Sequence, residues 1–170
     1  VASSSPAPGG GSVAASAGAL AAALTAMVCR LTVNKKEYAN AKAELSDIRD
    51  KTDSLRIELE TLVEVDKEAF DAVMEAFKLP EDKRDAGVDK ATQHAASVPL
   101  TVMNKALEVM EMALVVAQKG NVNSVSDAGV AGLMAHAAIE GAGYNVAINI
   151  GSLKEQMFID KLKSEYNEIR

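Results

Sequence analysis

Residues 8–31 read PGGGSVAASAGALAAALTAMVCRL. Pro8, Gly9, Gly10, Gly11 and Ser12 end a Pro- and Gly-rich entry that forbids a regular element, and from Val13 to Leu31 the chain carries no strong breaker. Ala14, Ala15, Ser16, Ala17, Gly18, Ala21, Ala22 and Ala23 put small side chains on nearly every face, so neighbouring backbones can approach unusually closely. A helix of that kind belongs at the centre of a helical bundle. Its most apolar part, Val13 to Cys29, is 17 residues of mostly Ala, Gly, Ser and Thr, against roughly 20 strongly apolar ones for a bilayer span. It is predicted to be buried in protein, and no basic stretch precedes it as in a secretory leader.

Composition agrees with a helical core. The 170 residues are 48% hydrophobic and 25% charged but only 4% aromatic, with no Trp, so the core is built from Ala, Leu, Val, Ile and Met. One domain covering residues 1–170 is predicted. Net charge is −6, and the basic residues are scattered among acidic ones, which excludes the footprint of a nucleic-acid binder. Cys29 is the single cysteine; it rules out an intrachain disulfide and reads as a small buried hydrophobe. His94 and His136 stand too far apart for a metal-ligand pattern, so no metal site is predicted. These features point to a cytoplasmic protein with no nucleic-acid or membrane partner.

Beyond Asn34 a charged segment runs to about Lys78 with apolar residues at steps of three and four: Leu45, Ile48, Leu55, Leu59, Leu62, Ala69 and Val73. This is a long amphipathic helix. Leu79-Pro80 breaks it, Lys83 to Ala96 reads as a shorter helix, and Pro99 in a first turn starts another that Gly120 ends. After the polar loop Asn121 to Ser126, Ser126 or Asp127 caps a second small-residue helix reaching Ile150. Ser152-Leu153-Lys154-Glu155 has capping-box spacing and opens the last helix, whose face is Leu153, Phe158, Leu162 and Tyr166. The expected fold is all-α, about six helices around two small-residue central ones.

Three features could carry chemistry. The glycine turn leaves the first N–H groups of the next helix unpaired at the positive end of its dipole, a place for a carboxylate or ring carbonyl; a tight turn serving close packing is the equal alternative. Asp66 falls in the apolar register that runs through Leu45, Ile48, Thr52, Leu55, Leu59 and Leu62 and resumes at Ala69. Burial disfavours the charged form of a carboxyl group and moves it toward general acid/base work; a buried anchor of a polar network is the alternative. Asn145 and Asn149 lie one turn apart, able to read a polar heterocycle or to bridge two helices. His136 and Glu140 also share a face and read as a surface pair.

Taken in order, Ser5-Pro6-Ala7-Pro8-Gly9-Gly10-Gly11-Ser12, Met27-Val28, Leu31-Thr32, Asp66-Lys67-Glu68-Ala69-Phe70, Val98-Pro99-Leu100, Gly120-Asn121, Ser126-Asp127 and Asn145-Val146-Ala147-Ile148-Asn149 resemble the cyclodeaminase/cyclohydrolase family over essentially the whole chain. Its members include the deaminase half of the bifunctional formiminotransferase-cyclodeaminase and stand-alone methenyltetrahydrofolate cyclohydrolases, all helical and typically homodimeric. The chain departs from the family pattern in two places. It starts where the family usually has a short leading helix, and Leu79-Pro80 to Arg84 is shorter.

The resemblance implies a tetrahydrofolate derivative as substrate, with no tightly bound cofactor. It implies Asp66 as the catalytic aspartate, and Pro8, Gly9, Gly10, Gly11, Ser12, Asn121, Ser126, Asp127, Asn145 and Asn149 as the lining of the cleft. Asp66 would relay protons while N10 displaces ammonia from an N5-formimino group, or while water opens the methenyl bridge. The acidic surface leaves the holding of a polyglutamate tail unexplained; Lys35, Lys36, Lys83 and Arg84 are candidates on charge alone. A non-catalytic helical scaffold is the competing class; its weakness is the carboxylate in the seam.

Overall fold

The small residues of the first helix dictate the architecture. In the computed structural model, which describes residues 1–170, α1 (Gly10–Val33) runs through the middle of a bundle, packed against α2 (Lys42–Ala76), α4 (Val125–Ile150) and α3 (Glu81–Lys119). A short 3₁₀ turn, Lys36–Ala41, joins α1 to α2, another, Val122–Ser124, joins α3 to α4, and α5 (Gln156–Ile169) closes the bundle against α3 and α4. There is no strand. The close approach is visible at Gly18, where an added Cβ would lie 3.2 Å from Leu59 of α2 and 3.6 Å from Ala138 of α4.

The core has two parts. The larger joins Ala15, Ala22, Leu59, Met103, Val109, Ala135 and Val146; the smaller, beyond the C-terminal half of α1, joins Val28, Cys29, Val33, Leu45, Ile48, Val116 and Ala128. Buried hydroxyls are satisfied within their own helices: Thr25 donates to Ala21 O, Thr32 to Val28 O and Thr52 to Ile48 O. No buried side-chain polar atom lacks a partner.

Several expectations are corrected. There are five α-helices, because α3 runs unbroken for 39 residues with Pro99 inside it. A proline there removes one i→i−4 bond, the one that Ala95 C=O would accept. Asn149 Nδ2 donates to that carbonyl at 2.9 Å instead. The segment Ser3–Ser12 is not wholly irregular, since Gly10, Gly11 and Ser12 form the first turn of α1 and Gly9 is its N-cap. With that turn α1 has 24 residues, long and apolar enough to cross a bilayer, but 67% of its most apolar window is buried in the bundle.

Neither Ser126 nor Asp127 caps α4; Ser124 holds that position without a side-chain bond. Ser152 does not open α5. Its N–H remains tied to Asn149 O at the end of α4 (3.0 Å), Glu155 takes the N-cap position, and the Glu155 carboxylate accepts from Gln93 Nε2 at 3.2 Å. The expected face of α5 survives: Leu162 is buried, and Phe158 and Tyr166 pack on the core.

Candidate active site

The first hydrogen bond of α1 runs from Val13 N–H to Gly9 C=O at 3.1 Å, so the amides of Gly10, Gly11 and Ser12 have no backbone acceptor. They point out of the positive end of a 24-residue dipole. Against this turn lies Asp66, two-thirds of the way along α2. Ser12 Oγ donates to its Oδ2 at 2.8 Å, and also stands 3.2 Å from Val63 O on the same helix. A hydroxyl bond to a carboxylate is the stronger kind, and Ser12 is itself buried, so the carboxylate is held in one place. Asp66 is half-buried and not sealed in the core.

The carboxylate opens onto a cleft of about 520 Å³. Gly9, Gly10 and Gly11 form one wall, α2 another through Phe70, Val73 and Phe77, α3 a third through Val88, Thr92 and Ala95, and the end of α4 a fourth through Asn145, Ile148 and Asn149. Apolar walls with a few converging polar groups describe a small-molecule site. The two amides are already oriented: Asn145 Nδ2 donates to Gly141 O at 2.8 Å and Asn149 Nδ2 to Ala95 O at 2.9 Å. Each therefore offers its Oδ1 as an acceptor.

A family model described as formiminotransferase-cyclodeaminase matches residues 1–168. The chain belongs to this family. It is 43% identical over 171 residues to a methenyltetrahydrofolate cyclohydrolase of Methylorubrum extorquens, covering 97% of this chain and 82% of that protein. It is 30% identical over 175 residues to the formimidoyltransferase-cyclodeaminase of Rattus norvegicus, of which it spans only 32%. A crystal structure of formiminotetrahydrofolate cyclodeaminase from Thermotoga maritima superposes with a TM-score of 0.93 at 33% identity, covering 99% of this chain and 83% of that one.

On this member of the formiminotransferase-cyclodeaminase family, one cleft gathers Asp66, Gly9, Gly10, Gly11, Asn145 and Asn149, with Ser12 behind the carboxylate and Pro8 in the adjoining groove. Asn121, Ser126 and Asp127 are not brought there. Asn121 sits past the C-terminus of α1, where its N–H donates to Thr32 Oγ1 at 2.9 Å and its side chain accepts from Asn123 N at 3.1 Å. Ser126 and Asp127 follow in the first turn of α4, some 30 Å from Gly10 given a rise of about 1.5 Å per residue along α1.

Lys83 and Arg84 stand in the first turns of α3 before the cleft residue Val88, whereas Lys35 and Lys36 lie at the opposite end. Glu140 pairs with Arg170 at 2.7 Å and not with His136. Sequence reasoning missed Val73, Phe77, Val88, Thr92 and Ile148 as cleft walls. Positions 66, 70, 73 and 77 repeat at four, three and four, a stripe that shares Asp66 and Val73 with the apolar register but departs from its buried positions Ala69 and Ala76 at Phe70 and Phe77. That branching was the available signal.

Proposed function

We propose that this protein acts on the one-carbon bridge of a tetrahydrofolate, and that its reaction is the hydrolysis of 5,10-methenyltetrahydrofolate. The observation that carries the reading is the Asp66 carboxylate, fixed by Ser12 at the mouth of an aromatic-walled cleft and beside unpaired helix-terminal amides. The methenyl centre is cationic, and a carboxylate attracts it. Phe70 and Phe77 offer faces to the pterin, the amides of Gly10 and Gly11 can hold a ring carbonyl, and the Oδ1 acceptors of Asn145 and Asn149 can take ring N–H groups.

In the proposed reaction Asp66 takes a proton from water as the oxygen attacks the methenyl carbon. The tetrahedral adduct then breaks its bond to N5, which receives that proton. The adduct's hydroxyl proton is lost to solvent, leaving the N10-formyl group. No bound cofactor has a step in this relay. Hydrolysis is preferred to ammonia release because the cyclohydrolase relative matches at 43% identity over 82% of its length, against 33% identity to the cyclodeaminase structure over 83% of its chain. The same relay would serve a cyclodeaminase, which is the second reading.

A larger groove between α2 and α3, about 670 Å³, is lined by five acidic residues, Glu44, Asp47, Glu58, Glu108 and Glu111, against one lysine, Lys51, with Glu44 and Glu58 paired to Lys119 and Lys105 at its edge. Its unpaired acids Asp47, Glu108 and Glu111 outnumber Lys51 and disfavour the carboxylates of a folate tail, which supports the Asp66 cleft as the site. A cytoplasmic location goes with this reading.

The proposed assembly is a homodimer. On α1 the residues Val13, Ala17, Leu20, Leu24, Met27 and Leu31 recur at four and three and line its outer side, with Leu20 57% exposed. On the adjacent α4, Val130, Leu133, Ala137, Tyr144 and Ile148 do the same, with Leu133 71% exposed. Two adjacent helices of this length offer on the order of 700 Å² per subunit, near the roughly 800 Å² of a standard interface. If a two-fold axis crosses the middle of this face, the helices of the two copies run antiparallel. Ser126 and Asp127 of each copy then approach the cleft end of the other, which would reconcile their position with the family pattern.

Purified protein given 5,10-methenyltetrahydrofolate should bleach the methenyl absorbance far faster than buffer, and 5-formiminotetrahydrofolate should yield neither methenyl product nor ammonia. Bleaching at the buffer rate would overturn the hydrolytic reading, and methenyl formation with ammonia would select the cyclodeaminase.

A further inference from the structure

We propose that Pro99, which does not touch the cleft, is a positioning residue for it: the carbonyl it leaves free on Ala95 fixes the amide of Asn149 so that Oδ1 faces the ligand as an acceptor. Pro99 lies in the interior of α3 and is fully buried. A proline has no N–H, so Ala95 C=O loses its helical donor, and a carbonyl left unpaired at the edge of a core is costly. Asn149 Nδ2 supplies the missing donor across the helix pair at 2.9 Å. Ala95 and Asn149 both line the cleft.

The bond decides which way the amide faces. Nitrogen must point at Ala95, so the oxygen takes the other direction. Asn149 Oδ1 has no partner in the chain and is not sealed in the core, since no half-buried side chain holds a buried, unpaired polar atom. An unpaired acceptor of fixed direction selects a ligand edge bearing N–H donors and rejects one bearing acceptors. Asn145, whose Nδ2 is held by Gly141 O, presents a second acceptor one turn away. The pair would read the donor edge of an amino-substituted heterocycle.

This inference rests on the folate reading for the identity of the ligand but not for the bond, and two measurements separate them. The first is a thermal double-mutant cycle on Pro99→Ala and Asn149→Ala. With Pro99 present, Asn149→Ala strands the Ala95 carbonyl and should lower Tm on the order of 4 °C. In the Pro99→Ala background the new N–H at position 99 satisfies that carbonyl, and Asn149→Ala should cost less than half as much. Additive losses would overturn the proposal.

The second measurement is steady-state kinetics on 5,10-methenyltetrahydrofolate. Pro99→Ala frees the Asn149 amide to rotate and should raise KM about fivefold with kcat within about twofold, because only uniform binding is lost. A merely structural proline would change Tm and leave KM where it was, and that result would also overturn the proposal. If the native protein neither binds nor turns over any reduced folate, the folate reading falls while the Tm cycle still judges the bond.

Discussion

Gly11 and Asp66 leave no space between them for a side chain: a Cβ added to Gly11 would lie 2.7 Å from Asp66 Cγ and 2.8 Å from its Oδ2. Gly10, by contrast, would meet only the Asn145 side chain, its nearest atom Nδ2 at an ordinary 3.4 Å. The glycines therefore differ in purpose, and Gly11→Ala should push the carboxylate out of its seat. Helix propensity favours alanine by about 1 kcal/mol, so the fold should tolerate the change. The expected result is a Tm within a few degrees of the native value and a kcat reduced at least about 100-fold. A variant retaining more than a tenth of kcat would show that the seat is not needed.

Asp66→Asn keeps an acceptor for the Ser12 hydroxyl and removes the proton relay. The proposed role requires kcat to drop about 10²- to 10⁴-fold while KM and Tm change little. Ser12→Ala leaves the carboxylate in place but unanchored and should lower kcat about tenfold. Methenyl absorbance decay and circular-dichroism melts measure both. Normal turnover by Asp66→Asn would move the chemistry elsewhere.

The outer seams of α1 and α4 carry the proposed dimer. Leu133→Glu or Leu20→Glu puts a charge where two copies would meet, and sedimentation velocity should then report a monomer in place of a dimer. Mixing Asp66→Asn with Asp127→Ala, each weak alone, should restore part of the activity if one copy completes the other's cleft. A native protein that sediments as a monomer at micromolar concentration would remove this assembly.

Burial pushes the Cys29 thiol up from 9.0 to about 11, against the opposing pull of Arg49 and Arg30. Almost no thiolate exists at pH 8, so native Cys29 should resist iodoacetamide until the protein is unfolded. Because its pKa is higher folded than unfolded, its contribution to stability is complete below pH 9 and fades as pH rises toward about 11. Comparing alkaline denaturation of the native protein with Cys29→Ala isolates this contribution. Equal alkaline losses in the two proteins would contradict it.

The fold was readable where periodicity and small residues spoke together, in α1, α2 and α4. It was misread at Pro99 and Ser152, for different physical reasons. At Pro99 a distant side chain overrode the local rule, Asn149 supplying the donor that Ala95 lacks; at Ser152 the backbone did so, its N–H staying bonded to Asn149 O at the end of α4. Asp66 was legible because a carboxylate interrupted an apolar register. The cleft walls were not, since Val88 and Ile148 look like ordinary helix positions until α3 and α4 are placed side by side. Asn121 was read as a cleft residue because the family resemblance implied it, whereas in this chain it bonds Thr32 and Asn123.

The central place of α1 has a consequence for synthesis. It is the most apolar helix and leaves the ribosome before the helices that pack on it, and its large partner α4 is made on the order of a hundred residues later, a delay of roughly 5 to 20 s. During that interval α1 has only the nascent α2 and α3 to cover it, and its bare outer seam adds to the exposed apolar surface. The growing chain is therefore sticky for longer than its final bundle suggests, and its yield should depend on holdase chaperones more than on the stability of the finished fold.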